Sequence, residues 1–321
     1  MILVAGSANL DFVVRADHIP APGETVLGRE FKTFPGGKGA NQAVACARAG
    51  GATTAMLLAL GQDAFAAPLE ASLTAAGVQL HLLRDAHLPT GTAFICVSDD
   101  GENAITVAPG ANHSLRAQHL PSLGGISHLL LQLETPLATV TAYAQAARAQ
   151  GITVVLNAAP AQSLPPALLA SVDVLLVNQG ELARVAQHRG SIAQCLAQLN
   201  VPCVVVTLGQ HGCCARTNTS SDDQGRDLLL QSAFPVVSVD STGAGDTFCG
   251  VLVASLAQEL DLAQALRRAS AAAALACTQP GAQSSIPSEA QVSAFLQQQA
   301  PTTSAQQALL AALIDAIPHP A

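Results

Sequence analysis

The sequence has no tryptophan and one tyrosine, Tyr143, in 321 residues. Side chains able to stack on a heteroaromatic base are therefore confined to the few Phe, His and Tyr residues. Charge is also scarce: Asp, Glu, Lys and Arg make up 11% of the chain, and the formal net charge is −8. So acidic a chain is a poor partner for a phosphate backbone, and no nucleic-acid partner is expected. There are only two lysines, Lys32 and Lys38. The eight cysteines (46, 96, 195, 203, 213, 214, 249 and 277) contain no C-x-x-C pair. A chain this long needs no disulfide staples, so they read as reduced, buried small hydrophobes. No apolar run is long enough to span a bilayer, because the Ala-rich segments are broken by Gln, Arg or Pro. The opening MILVAG lacks a basic flank and a cleavage-like site and reads as a strand. The expectation is a soluble, cytoplasmic protein with no membrane partner. A P-loop is absent, and Gly243-Ala244-Gly245 fails as a dinucleotide fingerprint because Phe248 fills the third glycine position.

Half of the residues are hydrophobic, enough for a sizeable core. Apolar runs at 2–5, 55–58, 128–131, 153–156, 174–177 and 203–207 alternate with helical patterns such as 137–150 and 165–170. Continuous apolar strands separated by helices predict an α/β fold: a three-layer sandwich around a mostly parallel sheet. Active sites of such folds lie at the carboxyl ends of the strands. Two stretches break the rhythm, 12–34 and 92–107, the second alternating around a turn at Asp99–Asn103. They predict a small separate β-sheet serving as a lid. The expected division is a core of 1–11, 35–91 and 108–287, a lid of 12–34 and 92–107, and a helical tail of 288–321 carrying Leu309, Leu310 and Leu313. Phe12, Val14, Phe31, Phe94 and Ile95 are candidates for an apolar outer lid face with no helix behind it. A second copy would cover that face, giving a homodimer through the lid sheets.

Three stretches carry chemistry. In STGAGDTFCG, residues 241–250, small residues precede an acid and a helix. The N–H groups of Ala244, Gly245 and Asp246 at a helix start form a seat for a phosphate. Asp246 has two readings: a base that takes a proton from an attacking hydroxyl, or a first-turn acid complementing the helix dipole. In PGGKGANQAV, residues 35–44, glycines permit close backbone approach, Lys38 and Asn41 bring polar side chains, and Asn41-Gln42 opens an Ala-rich helix. Lys38 also reads as a solvated turn lysine. Asn9 and Asp11, in GSANLD, either bind adjacent hydroxyls or form a turn.

Together GSANLD, PAPGETV, GGKGANQAV, LQLETP, NQGE, VTLGQHG, VDSTGAGDTF and PGAQSSIP resemble the ribokinase-like (PfkB) family of carbohydrate kinases, in the family's order and across nearly the whole chain. The GGKGAN form with Asn9-x-Asp11 resembles the ribose kinases of that family more than its fructose or adenosine kinases. The resemblance implies an α/β sandwich with a β-sheet lid, ATP and Mg²⁺ as cofactors, and transfer of a phosphoryl group to the 5-hydroxyl of D-ribose. The alternative is deoxyribose, another pentose or a nucleoside as acceptor. It implies Asp246 as catalytic base and Gly243, Ala244 and Gly245 as the anion hole. Asn9, Asp11, Gly37, Lys38, Asn41 and Glu134 would bind the sugar. Asn178 and Glu181 match the N-x-x-E motif that places Mg²⁺ and phosphate through water. Thr207, Gly209 and Gly212 match the nucleotide loop, and Ser270 stands near the adenine. Asp240, Thr242, Ala276, Gln279, Gly281 and Ser285 fall where the family holds a monovalent cation, usually K⁺. The alternative reading of Asp240 is a strand-end acid capping its turn. The family's Asn-Pro-Ala-Pro is here Asn157-Ala158-Ala159-Pro160, and the tail is longer than usual.

Overall fold

The computed structural model describes residues 1–218 and 227–316. Its nine-stranded main sheet contains β1 (Ile2–Ala5), β4 (Thr54–Leu60), β5 (Gln79–Arg84), β8 (His128–Leu131), β9 (Thr153–Asn157), β10 (Val174–Asn178), β11 (Cys203–Thr207), β12 (Gly212–Thr217) and β13 (Asp227–Ser232). A four-stranded sheet contains β2 (Asn9–Arg15), β3 (Glu30–Gly36), β6 (Gly91–Val97) and β7 (Asn103–Ala108). The spatial order is β13-β12-β11-β10-β9-β8-β1-β4-β5 in the first and β3-β2-β6-β7 in the second. From β11 to β5 the pairing is parallel, while β12 and β13 are antiparallel. The main sheet is mostly parallel, as the apolar runs predict. β5, β12 and β13 lie outside those runs. β5 and β13 are the edge strands and carry polar residues at both ends, and β12, next to β13, runs from Gly212 through Cys213-Cys214-Ala215 to Arg216 and Thr217.

Both faces of the main sheet are covered, which is why its central strands are apolar throughout. Ile2 and Val4 point to a layer of α1 (Lys38–Val44), α2 (Ala66–Ala75), α7 (Ala244–Ala257), α8 (Leu262–Ala276) and α9 (Glu289–Gln297). Leu3 and Ala5 point to α3 (Leu137–Arg148), α4 (Pro166–Leu169), α5 (Gln179–Ala186), α6 (Ile192–Ala197) and α10 (Ser304–Ala316). In α3 the buried set is Thr139, Val140, Tyr143, Ala144 and Ala147, the spacing of one helix face. In α7 every residue from Thr247 to Ser255 is buried. That helix lies against α1 at Gly250. A Cβ there would sit 2.5 Å from the Ala45 Cβ and 2.6 Å from the Gln42 carbonyl oxygen, so only glycine permits the crossing.

The small sheet forms from the two stretches that break the βα rhythm. β2 starts at Asn9, so Asn9 and Asp11 are strand residues on one face and not turn formers. Paired residues share a face. Phe12 opposes Phe94 and Val14 opposes Phe31, whereas Ile95 opposes Val13 on the other face and lines a cavity. Ile95 therefore leaves the predicted outer face. Nor is that face bare of a helix: Phe65, which caps the start of α2, meets Phe12 edge-on at 5.3 Å. Phe31 and Phe94 flank Phe12 as stacked rings and stay more than half exposed.

The tail forms α9, opened by a reciprocal cap between Ser288 and Gln291, and then α10. α10 docks on α6 and β13 through Leu310, 4% exposed, and Ile314, 1% exposed, while Leu309 is 73% exposed. Of the three predicted apolar residues, Leu309 thus faces water. Leu310→Ala is expected to cost about 2 kcal/mol or more, and Leu309→Gln to stay within about 0.5 kcal/mol of the parent. Urea melts of the two variants check the assignment of faces.

Candidate active site

The crossing of α1 and α7 brings the two glycine-rich motifs together. Asp246 lies in the first turn of α7, and both of its carboxylate oxygens accept hydrogen bonds from consecutive residues of α1. Asn41 Nδ2 donates to Oδ2 at 2.8 Å, and Gln42 Nε2 donates to Oδ1 at 2.8 Å. Gly37 caps α1 with φ of 88°, and a Cβ there would lie 2.7 Å from the Asn9 backbone nitrogen. That glycine lets the start of α1 press against β2, which carries Asn9 and Asp11.

Asn9 and Asp11 are buried, at 2% and 8% exposure. Asn112 Nδ2 donates to Asn9 Oδ1 at 2.7 Å, which leaves the Asn9 amide hydrogens for another partner. Glu134 accepts from the Ser7 hydroxyl at 2.5 Å and from the Lys38 backbone N–H at 3.1 Å. Burial pushes the Asp11 carboxyl up to about 7, helped by the negative charges of Glu134 and Asp246 and opposed by Lys38. Lys38 is raised, first by Asp246 and then by Glu134 and Glu181, against the effect of its own burial. The ammonium is thus the counter-charge of an acidic cluster, not a solvated turn lysine. Asn41 Oδ1 is buried and has no hydrogen-bond partner among the described residues. A buried acceptor left open beside such a cluster is a place for a ligand hydroxyl.

On the other side of Asp246 lies a cavity of about 150 Å³ lined by Lys38, Asn157, Asn178, Glu181, Thr207, Gly243, Gly245 and Asp246. It sits at the carboxyl ends of β9, β10 and β11, where an α/β sheet binds its ligands. The α7 N-terminus opens into it, with Gly245 exposed and Gly243 as a cap that makes no side-chain bond. Asn178 caps α5: its Oδ1 accepts from the Glu181 N–H at 2.8 Å, and Glu181 Oε2 accepts from the Asn178 N–H at 2.8 Å. Burial raises the Glu181 carboxyl, as does Asp246, while the Asn178 N–H and Lys38 oppose them. Gly209 and Gly212 bound the short turn from β11 to β12. Ser270 is buried in α8, its hydroxyl 3.7 Å from the Cys213 sulfur in β12.

Asp240, Thr242 and Gly281 also come together. Asp240 Oδ1 accepts from the Thr242 N–H at 2.9 Å, and Oδ2 accepts from the Gly281 N–H at 2.8 Å. Burial alone would raise this carboxyl, but those bonds outweigh it and hold the group below its usual range. Ser285 is buried and donates to the Ala282 carbonyl at 2.8 Å. Ala276 ends α8, and its carbonyl accepts from the Gln279 N–H at 3.3 Å, with the Gln279 side chain exposed. Asp240, Thr242 and Gly281 line a second cavity of about 500 Å³, which runs beneath the small sheet from Asp11 to Arg15 and Lys32.

The sequence motifs name most of these residues but give no role to four buried amides: Gln42, Gln132 and Asn157 stand inside quoted motifs without an assignment, and Asn112 stands in none. Gln42, Gln132 and Asn112 are fully buried, and Asn157 nearly so. The available signal is a long amide at a core position: Gln42 stands between small apolar residues, Ala40 and Ala43 in α1 and Cys46 just beyond it.

The sequence matches the family described as pfkB family carbohydrate kinase over residues 1–289. It is 36% identical to the ribokinase of Haemophilus influenzae over 308 residues, covering 92% of this chain and 98% of that protein. It is also 36% identical to the ribokinase of Bacillus subtilis over 300 residues, covering 92% and 99%. The fold superposes on the ribokinase of Thermotoga maritima with a TM-score of 0.82 at 33% identity, covering 92% of this chain and 99% of that one. The Arabidopsis thaliana ribokinase complexed with ribose and ATP gives a TM-score of 0.82 at 31% identity, covering 92% and 98%. A family match from the first strand to the start of α9, over a fold that places both glycine-rich motifs at one site, means that the chain belongs to the pfkB family of carbohydrate kinases.

Proposed function

We propose that this kinase transfers the γ-phosphoryl group of ATP to the 5-hydroxyl of D-ribose, giving D-ribose 5-phosphate and ADP. The observation that carries this reading is the position of Asp246. Its carboxylate stands between a buried polar set and the open start of α7. Asn9, Asp11, Gly37, Lys38, Asn41 and Glu134 hold the sugar hydroxyls. Asp246 takes the proton of the 5-hydroxyl as that oxygen attacks phosphorus. The N–H groups of Gly243 and Gly245 receive the charge that builds on the phosphoryl oxygens, and the Ala244 N–H, which donates to the Ser241 carbonyl at 3.2 Å, would join them by giving up that bond. Asn178, Glu181, Thr207, Gly209, Gly212 and Ser270 serve the nucleotide side. The oxygen donors at Asn178 and Glu181 suit a hydrated Mg²⁺, which when bound supplies neutralising charge to the phosphates.

The oxygen-rich turn around Asp240 suits a monovalent cation such as K⁺. Its donors are the Asp240 carboxylate, the Ser285 hydroxyl and backbone carbonyls near Thr242, Ala276, Gln279 and Gly281, all hard oxygen ligands. We further propose that the small sheet closes over the sugar and excludes water. Two copies would meet through Phe31 and Phe94, with the half-buried Phe12 between them, since the exposed rings favour burial against an identical face.

An ADP-release assay over D-ribose, deoxyribose, other pentoses and nucleosides tests the substrate, with D-ribose expected to lead. Asp246→Asn is expected to lower kcat by about 10²–10⁴-fold with ribose binding retained in calorimetry; near-parental turnover would remove Asp246 as the base.

A carboxyl raised to about 7 from 3.8 is protonated more readily in the folded chain. The stability this gives is full below pH 4 and is lost as pH rises through 7. Asp11→Asn therefore raises the melting temperature at pH 8, by an amount that shrinks on acidification, while ribose affinity falls. Thermal melts at several pH values, with calorimetry beside them, check both effects. Potassium is expected to raise activity over sodium and over a large organic cation at equal ionic strength; equal rates in all three salts would exclude the cation site.

A further inference from the structure

Gln42 is fully buried in α1, and its amide is fully used. Nε2 donates to Asp246 Oδ1 at 2.8 Å and to Asn157 Oδ1 at 3.0 Å, and Oε1 accepts from Gln132 Nε2 at 2.6 Å. The direction of these bonds is set by the main sheet. The Leu176 carbonyl in β10 can only accept, so Asn157 turns its Nδ2 toward it, at 3.3 Å. Asn157 Oδ1 then faces Gln42 and requires a donor. With Gln132 donating to Oε1, Gln42 has its Nε2 toward both Asn157 and Asp246. A backbone carbonyl of the sheet thereby fixes the orientation of an amide on the Asp246 carboxylate.

We infer that Gln42 is a positioning residue for phosphoryl transfer. It holds Asp246 Oδ1 in place so that the carboxylate meets the attacking hydroxyl in one orientation, with Gln132 and Asn157 fixing Gln42. This inference rests on the reading of Asp246 as the base. Asn41 holds the other oxygen but also faces the sugar through its open Oδ1, so its loss would mix binding with catalysis. Gln42 lines neither cavity, and its side-chain bonds among the described residues go to Asp246, Asn157 and Gln132. Its loss therefore falls on kcat.

The test compares the parent with Gln42→Met, Gln42→Glu and Asp246→Asn, using D-ribose and ATP. Gln42→Met keeps the length and removes the donor. It is expected to lower kcat by about 10–100-fold with both KM values within about threefold. Gln42→Glu keeps the shape and carries the test if the Met variant does not fold. When protonated, the introduced carboxyl donates to Asp246; when ionised, it opposes Asp246. The ratio of its kcat to that of the parent is expected to rise at least about fivefold from pH 8 to pH 6. Asp11, Lys38, Glu134, Glu181 and Cys249 also face this region. They are common to both proteins, so the ratio cancels their own titration to first order. Folded variants with kcat within twofold of the parent, or a ratio flat with pH, would overturn the inference. Should Asp246→Asn be inactive in that case, the base reading survives alone; should Asp246→Asn be active, both fall.

Discussion

The site depends on helix α7 crossing helix α1 at Gly250. A carboxylate in the first turn of a helix is ordinary and complements the dipole. What makes Asp246 different is the close passage of α1, which delivers Asn41 and Gln42 to its two oxygens. The crossing is possible because small residues, Ala45 and Cys46, follow directly on α1 at the contact and α7 has no side chain there. The two motifs, some 200 residues apart in sequence, become one site through this contact.

Charge sets the second constraint. Asp11, Glu134, Glu181 and Asp246 surround one ammonium, Lys38. Four acids share one cation in a poorly solvated space, and burial first, then the charges of Glu134 and Asp246, lifts Asp11 to about 7. Stability is given up at these positions for a set of acceptors that a polyhydroxylated ligand can satisfy. The open Asn41 Oδ1 belongs to the same pattern. Cations supplied with the nucleotide, or held by the Asp240 turn, would offset the acids from the other side.

The layered sheet was readable from apolar runs because both faces of its central strands are covered. β5 and β13 lie at the edges and have polar residues at both ends, and β12 offers only Cys213-Cys214-Ala215 between Gly212 and Arg216, so none of the three reads as a long apolar run. Glycine, the acids and Lys38 stood out by type and spacing. Gln42, Gln132, Asn112 and Asn157 did not, since an isolated amide announces nothing until the fold shows which group it faces. Ile95 shows a further limit: alternation along a strand separates two faces but does not say which one meets solvent. Only the pairing of β2 with β6 put it on the cavity side.

Phosphorus NMR of the reaction of ATP with D-ribose tests the central claim most directly, because it reports which oxygen receives the phosphoryl group. The account predicts one sugar-phosphate resonance, split by the two protons of C5, with little inorganic phosphate. A resonance split by a single ring proton, or inorganic phosphate without a sugar phosphate, would contradict it.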